Sequence, residues 1–172
     1  MELYTITVFS ENQVGILNQI ANIFTRRGLN IESLSVSPSS IEGVHKFIIT
    51  CRSDRAMMQR VARLIEKRVD VLKAYLYTDS EIVYQEIALY KVPADQLLDN
   101  SNVERVIREH NARILEITRQ YVIIEKTGHT ADTDALFQEL KHYGLLQFVR
   151  SGRVAVTKGT EEQLTRFLLN HT

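Results

Sequence analysis

Residues 3–36 read LYTITVFSENQVGILNQIANIFTRRGLNIESLSV, and this stretch decides the fold. Leu3 to Phe9 alternates apolar residues with threonine, the period-two pattern of a strand. From Gln13 to Arg27 the period lengthens: Ile16, Ile20 and Ile23, with Leu17, Ala21 and Phe24, recur at three- and four-residue spacing and predict a helix. Arg26 and Arg27 sit in its last turn and Gly28 follows as a stop signal. Ile31 to Val36 alternates again, so the stretch reads strand, helix, strand.

Working outward, Pro38-Ser39-Ser40 and Glu42-Gly43 mark a turn, and Val44 to Cys51 makes a third strand. Asp54 can cap a second helix whose inner face is Met57 or Met58, Val61, Leu64 and Ile65. Val69 to Tyr77 is a fourth strand, which completes the order βαββαβ. The rhythm then repeats. Glu86 to Val92 is a strand, and Asp95 to Glu109 contains a helix with Leu97, Leu98, Val103, Val106 and Ile107 inward. Arg113 to Ile117 and Tyr121 to Lys126 are strands. Thr130 or Asp132 caps a helix through Leu136, Phe137 and Leu140 that stops at Gly144. Leu146 to Val149 and Val154 to Thr157 supply a last strand interrupted by Ser151-Gly152, and an amphipathic tail carries Leu164, Phe167 and Leu168. The fold class is α+β: two tandem ferredoxin-like sandwiches, residues 1–79 and 80–172, each a four-stranded antiparallel sheet with two helices on one face. No sequence identity links the halves, so the repeat is one of architecture.

Lys plus Arg and Asp plus Glu both number 21, whereas a nucleic-acid binder is expected to carry a basic excess. An RNA-recognition domain shares the βαββαβ order, but its third strand should display aromatics. Here that strand reads Val-His-Lys-Phe-Ile-Ile-Thr, with one aromatic, and its open face reads as covered by another protein. The start of the chain has no basic leader, and no apolar run approaches the ~20 residues of a membrane span; cytoplasm is the expectation. His45, His110, His129, His142 and His171 show no metal-ligand spacing and read as surface histidines. Cys51 ends an apolar strand and reads as a buried, inert thiol. Gly-x-Gly-x-x-Gly and Gly-Lys-Ser/Thr phosphate motifs are absent, and Glu161-Glu162 is accounted for by a helix start. No catalytic residue, metal or cofactor is expected on this chain.

Two asparagines flank the first helix. The helix entry offers unpaired N–H groups and a partial positive charge to a carboxylate. Gly15 lets a ligand approach that backbone, Asn12 can accept from an ammonium, and Ile16 and Leu17 can wall an aliphatic side chain. Together these groups suit an α-amino acid. Asparagine before a helix is equally a common cap, and spacing alone favours that simpler reading. Asn30, entering an apolar strand, has no capping duty.

The run Glu11-Asn-Gln-Val-Gly-Ile-Leu through Arg26-Arg-Gly-Leu-Asn-Ile-Glu-Ser-Leu34 resembles the ACT domain of the small, regulatory subunits of acetolactate synthase (acetohydroxyacid synthase). The resemblance continues through Val69-Asp-Val-Leu-Lys73, Gln85 to Val92 and Phe148 to Ala155. It implies an N-terminal ACT domain for effector binding and dimerisation, followed by an ACT-like domain. It further implies a non-catalytic subunit that binds a large catalytic subunit carrying thiamine diphosphate, magnesium and FAD, raises its activity and confers inhibition by branched-chain amino acids. The effector would sit at a homodimer interface, held by Asn12, Gly15, Ile16 and Leu17 of one chain and Asn30 and Ile31 of the other. Val14 departs from the family, which often has Pro or Ser there, as does His45-Lys46, where many relatives have Ser-Arg. The tail after Gly159 is longer than the family leads one to expect. Two other readings remain at this point. One is a free-standing amino-acid sensor with another client. The other is an acylphosphatase-like hydrolase, which needs an arginine that residues 10 to 15 lack.

Overall fold

The computed structural model describes residues 1–98 and 101–170, with Leu97, Leu98 and Ser101 described by backbone alone. The inward role read for Leu97 and Leu98, and His171, therefore lie outside the described side chains. Met1–Tyr84 together with Arg153–Thr172 form one compact unit, and Gln85–Gly152 forms a second. The units thus depart from a simple division at residue 79, because the end of the chain returns to the first of them.

In the first unit β1 (Glu2–Glu11), α1 (Ile16–Thr25), β2 (Ile31–Pro38), β3 (Val44–Ser53), α2 (Arg55–Glu66) and β4 (Val71–Tyr77) follow in sequence. The sheet order is β2-β3-β1-β4, all pairs antiparallel. Alternation along β1 sends Tyr4, Ile6 and Val8 to the helix side, where they pack against Ile16, Ile20, Ile23 and Phe24 of α1 and Met58, Val61 and Ile65 of α2. Cys51 lies in this core, its thiol pushed up by burial. Asp54 caps α2 by accepting from the Met57 N–H at 2.8 Å. We expect Asp54→Ala to lower stability by about 1 kcal/mol, read as a lower urea midpoint at unchanged slope. β4 begins at Val71, two residues later than its pattern suggests; Val69 is exposed, in the turn closed by Val71 N–H to Arg68 O.

The other face of this sheet was expected to await another protein. Instead the chain covers it. Ile48 and Tyr77 pack with Ile82 and Ala155, and Phe9 and Val44 pack with the fully buried Leu164. The covering residues are Ile82 and those of β9 (Val154–Thr157) and α6 (Gln163–Leu169). Gln163 fastens α6: Tyr77 donates to its side-chain oxygen at 3.0 Å and Tyr75 to its carbonyl at 3.2 Å. Burial raises the Tyr77 phenol's pKa well above its ordinary value, which keeps it a donor. Arg153, 2% exposed, donates to Asp79 at 2.8 Å and to Thr5 at 3.2 Å, with its guanidinium 3.7 Å from the Tyr84 ring centroid.

In the second unit β5 (Ile82–Pro93), whose start, Ile82–Tyr84, still belongs to the first, α3 (Ala94–Leu98), α4 (Ser101–Glu109), β6 (Arg113–Ile117), β7 (Tyr121–Gly128), α5 (Thr130–Leu140) and β8 (Gln147–Arg150) give the order β6-β7-β5-β8. The topology repeats that of the first sheet. Ala88, Tyr90, Val92, Val122 and Ile124 face Val103, Val106, Leu136 and Leu140. The N-cap of α5 is His129, one residue before the expected Thr130. Asp132, the other candidate, sits within the first turn and accepts from the His129 N–H at 2.9 Å. β8 and β9 are separate strands rather than one interrupted strand. Among the described residues no helix is long and apolar enough to cross a membrane.

Candidate functional site

Asn12 to Gly15 connect β1 to α1. Gly15 occupies the N-cap in a left-handed conformation, φ 89, and no side chain caps the helix. Capping therefore does not account for Asn12. The Ile16 N–H bonds to Gln13 O at 3.4 Å and the Gly15 carbonyl accepts from Gln19 N–H at 3.1 Å, so the backbone closes this turn itself. An L side chain in such a conformation costs about 1–2 kcal/mol, which explains a glycine here. A Cβ built on Gly15 would meet nothing within 4 Å, so the approach to the first turn of the helix is open.

Asn12, Gln13 and Val14 are exposed. Ile16 is 5% exposed and packs in the core, whereas Leu17 is 43% exposed and remains available as an apolar wall. Asn12, Gly15 and Leu17 are thus each exposed around the entry to α1, and Ile16 is buried.

Asn30 and Ile31 lie elsewhere. Ile31 pairs with Cys51, which pairs with Tyr4, whereas Ser10, next to the end of β1, pairs with His45. Tyr4 and Ser10 alone are about 20 Å apart at ~3.4 Å per residue, and Asn30 and Asn12 lie beyond them at opposite ends of the sheet. A single amino acid cannot span that distance. β2, which starts at Ile31, is an edge strand paired only to β3 among the described strands. A register shift at Ile31/Ser33 leaves Glu32 as the extra residue of a bulge, after which Leu34 faces the core and Ser33 meets Thr50, Oγ to Oγ1 2.6 Å.

Two of the histidines are occupied structurally. His110 Nε2 lies 2.9 Å from Glu139 Oε1, a pairing across 29 residues that sequence spacing does not reveal. His142 Nδ1 lies 3.2 Å from Glu139 O. Among the described residues, no group of three or more His, Cys, Asp or Glu is arranged to hold a metal.

Residues 4–70 match the family model described as the ACT domain, and residues 85–159 match the one described as the small subunit of acetolactate synthase. The chain is 30% identical over 160 residues to the acetolactate synthase small subunit of Bacillus subtilis, covering 92% of each. It is also 30% identical over 164 residues to the probable acetolactate synthase small subunit of Archaeoglobus fulgidus, covering 92% of this chain and 99% of that one. The crystal structure of the acetolactate synthase small subunit from Thermotoga maritima superposes with a TM-score of 0.84 at 25% identity, over 94% of this chain and all of that one. Two βαββαβ sheets in tandem, an ACT match on the first and a small-subunit match on the second place this chain in the acetolactate synthase small-subunit family.

Proposed function

We propose that this chain is a regulatory subunit of acetolactate synthase, without catalysis of its own. It binds the large catalytic subunit, on which thiamine diphosphate, magnesium and FAD reside, raises its activity, and makes it sensitive to a branched-chain amino acid in the cytoplasm. The ACT-bearing first unit holds the effector and dimerises, and the second unit does not bind it, since Lys91 to Gln96 at its first-helix entry offers a Pro and no Asn-x-x-Gly.

The observation that carries the reading is the separation of the two asparagines across a sheet whose β2 edge pairs with no further strand among the described residues. A two-fold pairing of two copies along β2 is antiparallel, so it carries Asn30 of one chain towards the Asn12 end of its partner. The effector's carboxylate meets the N-terminus of α1 at Gly15, and its ammonium meets the two asparagine carbonyls. Ile31 and Leu17 flank its side chain. An exposed strand edge is ordinarily blunted in a monomer, and here two-fold pairing would cover it.

Copurification with the large subunit, with activity measured with and without each branched-chain amino acid, tests the function. Failure to copurify or to activate would leave only a free-standing sensor. Light scattering should give a dimer at micromolar concentration; a monomer would remove the composite site. Asn30→Ala should leave part of the ammonium unpaired at roughly 1–3 kcal/mol. That predicts inhibition weakened about tenfold or more, read as a shift in the half-inhibitory concentration with maximal activation unchanged.

A further inference from the structure

On the face of the first sheet turned away from α1 and α2 lies a cavity of about 200 Å³, bounded by that face on one side and by residues 155–163 on the other. That is many times the ~10–15 Å³ a single water needs, and is room for a small organic molecule. Its walls carry both signs of charge. Lys46 projects from β3, half-buried, with its Nζ 3.3 Å from Ala155 O and 5.5 Å from the Phe9 ring centroid. Burial lowers the pKa of this ammonium, and the charge of Glu162 partly opposes that effect. Yet no ion pair joins Lys46 to Glu162 within 4.0 Å among the described residues. Glu162 is instead tied to the turn before β3 by Ser40 Oγ at 3.2 Å, with Glu161 beside it. Lys46 and Glu162 thus both line the cavity, each held by a different partner and close enough for the charge of one to act on the other. Phe9, Ile82 and Ala155 supply apolar lining.

We propose that this cavity binds a small zwitterion of the α-amino-acid class, its carboxylate at Lys46, its ammonium at Glu162 and Glu161, and a short apolar side chain against Phe9, Ile82 and Ala155. A monoanion would satisfy Lys46 but be repelled by the two glutamates, and a cation the reverse; a zwitterion satisfies both. All groups come from one chain, so the site is complete in each copy and does not depend on the composite site at α1.

The test uses the full chain carrying Gly15→Asp, which removes the α1 site, titrated by calorimetry with glycine, L-alanine and L-valine and, in parallel, with acetate and methylammonium. We expect saturable binding of at least one of the amino acids at one per chain, with acetate and methylammonium at least tenfold weaker. Lys46→Met and Glu162→Gln should each weaken binding at least tenfold, and Lys46→Arg should retain most of it. Glu162 lies in the segment that bounds the cavity, outside both strands and helices, so its variant keeps the test valid should Lys46→Met fold poorly. Binding of none of the three amino acids, acetate binding as tightly as alanine, or binding indifferent to Glu162→Gln and Lys46→Met would each overturn the proposal. If the composite site proves wrong instead, wild-type protein would still bind one zwitterion per chain, sensitive to Lys46.

Discussion

Gly15→Asp should abolish inhibition by branched-chain amino acids while leaving activation of the catalytic subunit within about twofold of wild type. Two effects act in the same direction. Gly15 holds φ 89, where a residue with a Cβ is strained by about 1–2 kcal/mol, so the turn presenting the helix N-terminus is displaced. The new carboxylate would also stand about where the effector's carboxylate must bind. Two like charges ~4 Å apart in a partly dry interface repel by about 4 kcal/mol, close to a thousandfold in affinity. Since nothing lies within 4 Å of the new Cβ, the substitution adds no clash beyond the local strain of the turn, and activation should survive. The assay titrates valine, leucine and isoleucine against a holoenzyme rebuilt with the variant. Undiminished inhibition would remove Gly15 from the site.

A second large effect is expected from Asp79→Ala. Arg153 is 2% exposed, and Asp79, 45% exposed, is its carboxylate partner. Deleting one member of such a pair strands a buried charge, at about 3 kcal/mol, the low end of the usual range because water reaches the Asp79 side. Arg153→Met removes the buried charge together with its need for a partner and leaves Asp79 to solvent, so it should cost less. Urea denaturation of both variants decides: if Asp79→Ala proves no worse than Arg153→Met, the guanidinium is not relying on that carboxylate.

Much of the fold was legible because periodicity reports burial of one face. Arg113–Ile117 matches its predicted bounds, and Asp54 caps α2 as a residue of its type should. What periodicity misses is burial on both faces. β1 is buried at every position from Tyr4 to Ser10, and alternation with threonine did not show what covers the threonine side: Thr5 and Thr7 lie under segments from the far end of the chain. The partner of an amphipathic tail is likewise invisible in one dimension. Leu164, Phe167 and Leu168 showed an apolar face but not that Phe9 and Val44 receive it. At the candidate site, the residue types were readable and their placement on the sheet was not. The helix between Asn12 and Asn30 already implied that they lie a helix length apart; that they stand at opposite ends of one sheet, with Asn30 entering its β2 edge, comes from the register of β1, β2 and β3.

The return of Arg153–Thr172 to the first unit has a consequence for truncation. Cutting the chain after Gly152 would leave the second unit, the continuous stretch Gln85–Gly152, whole, and would strip β9 and α6 from the first. Phe9 and Val44 would then lose Leu164, and Ile48 would lose Ala155, on the outer face of the first sheet. A nick far from that sheet in sequence would thus uncover its apolar surface while sparing the unit that ends at the nick.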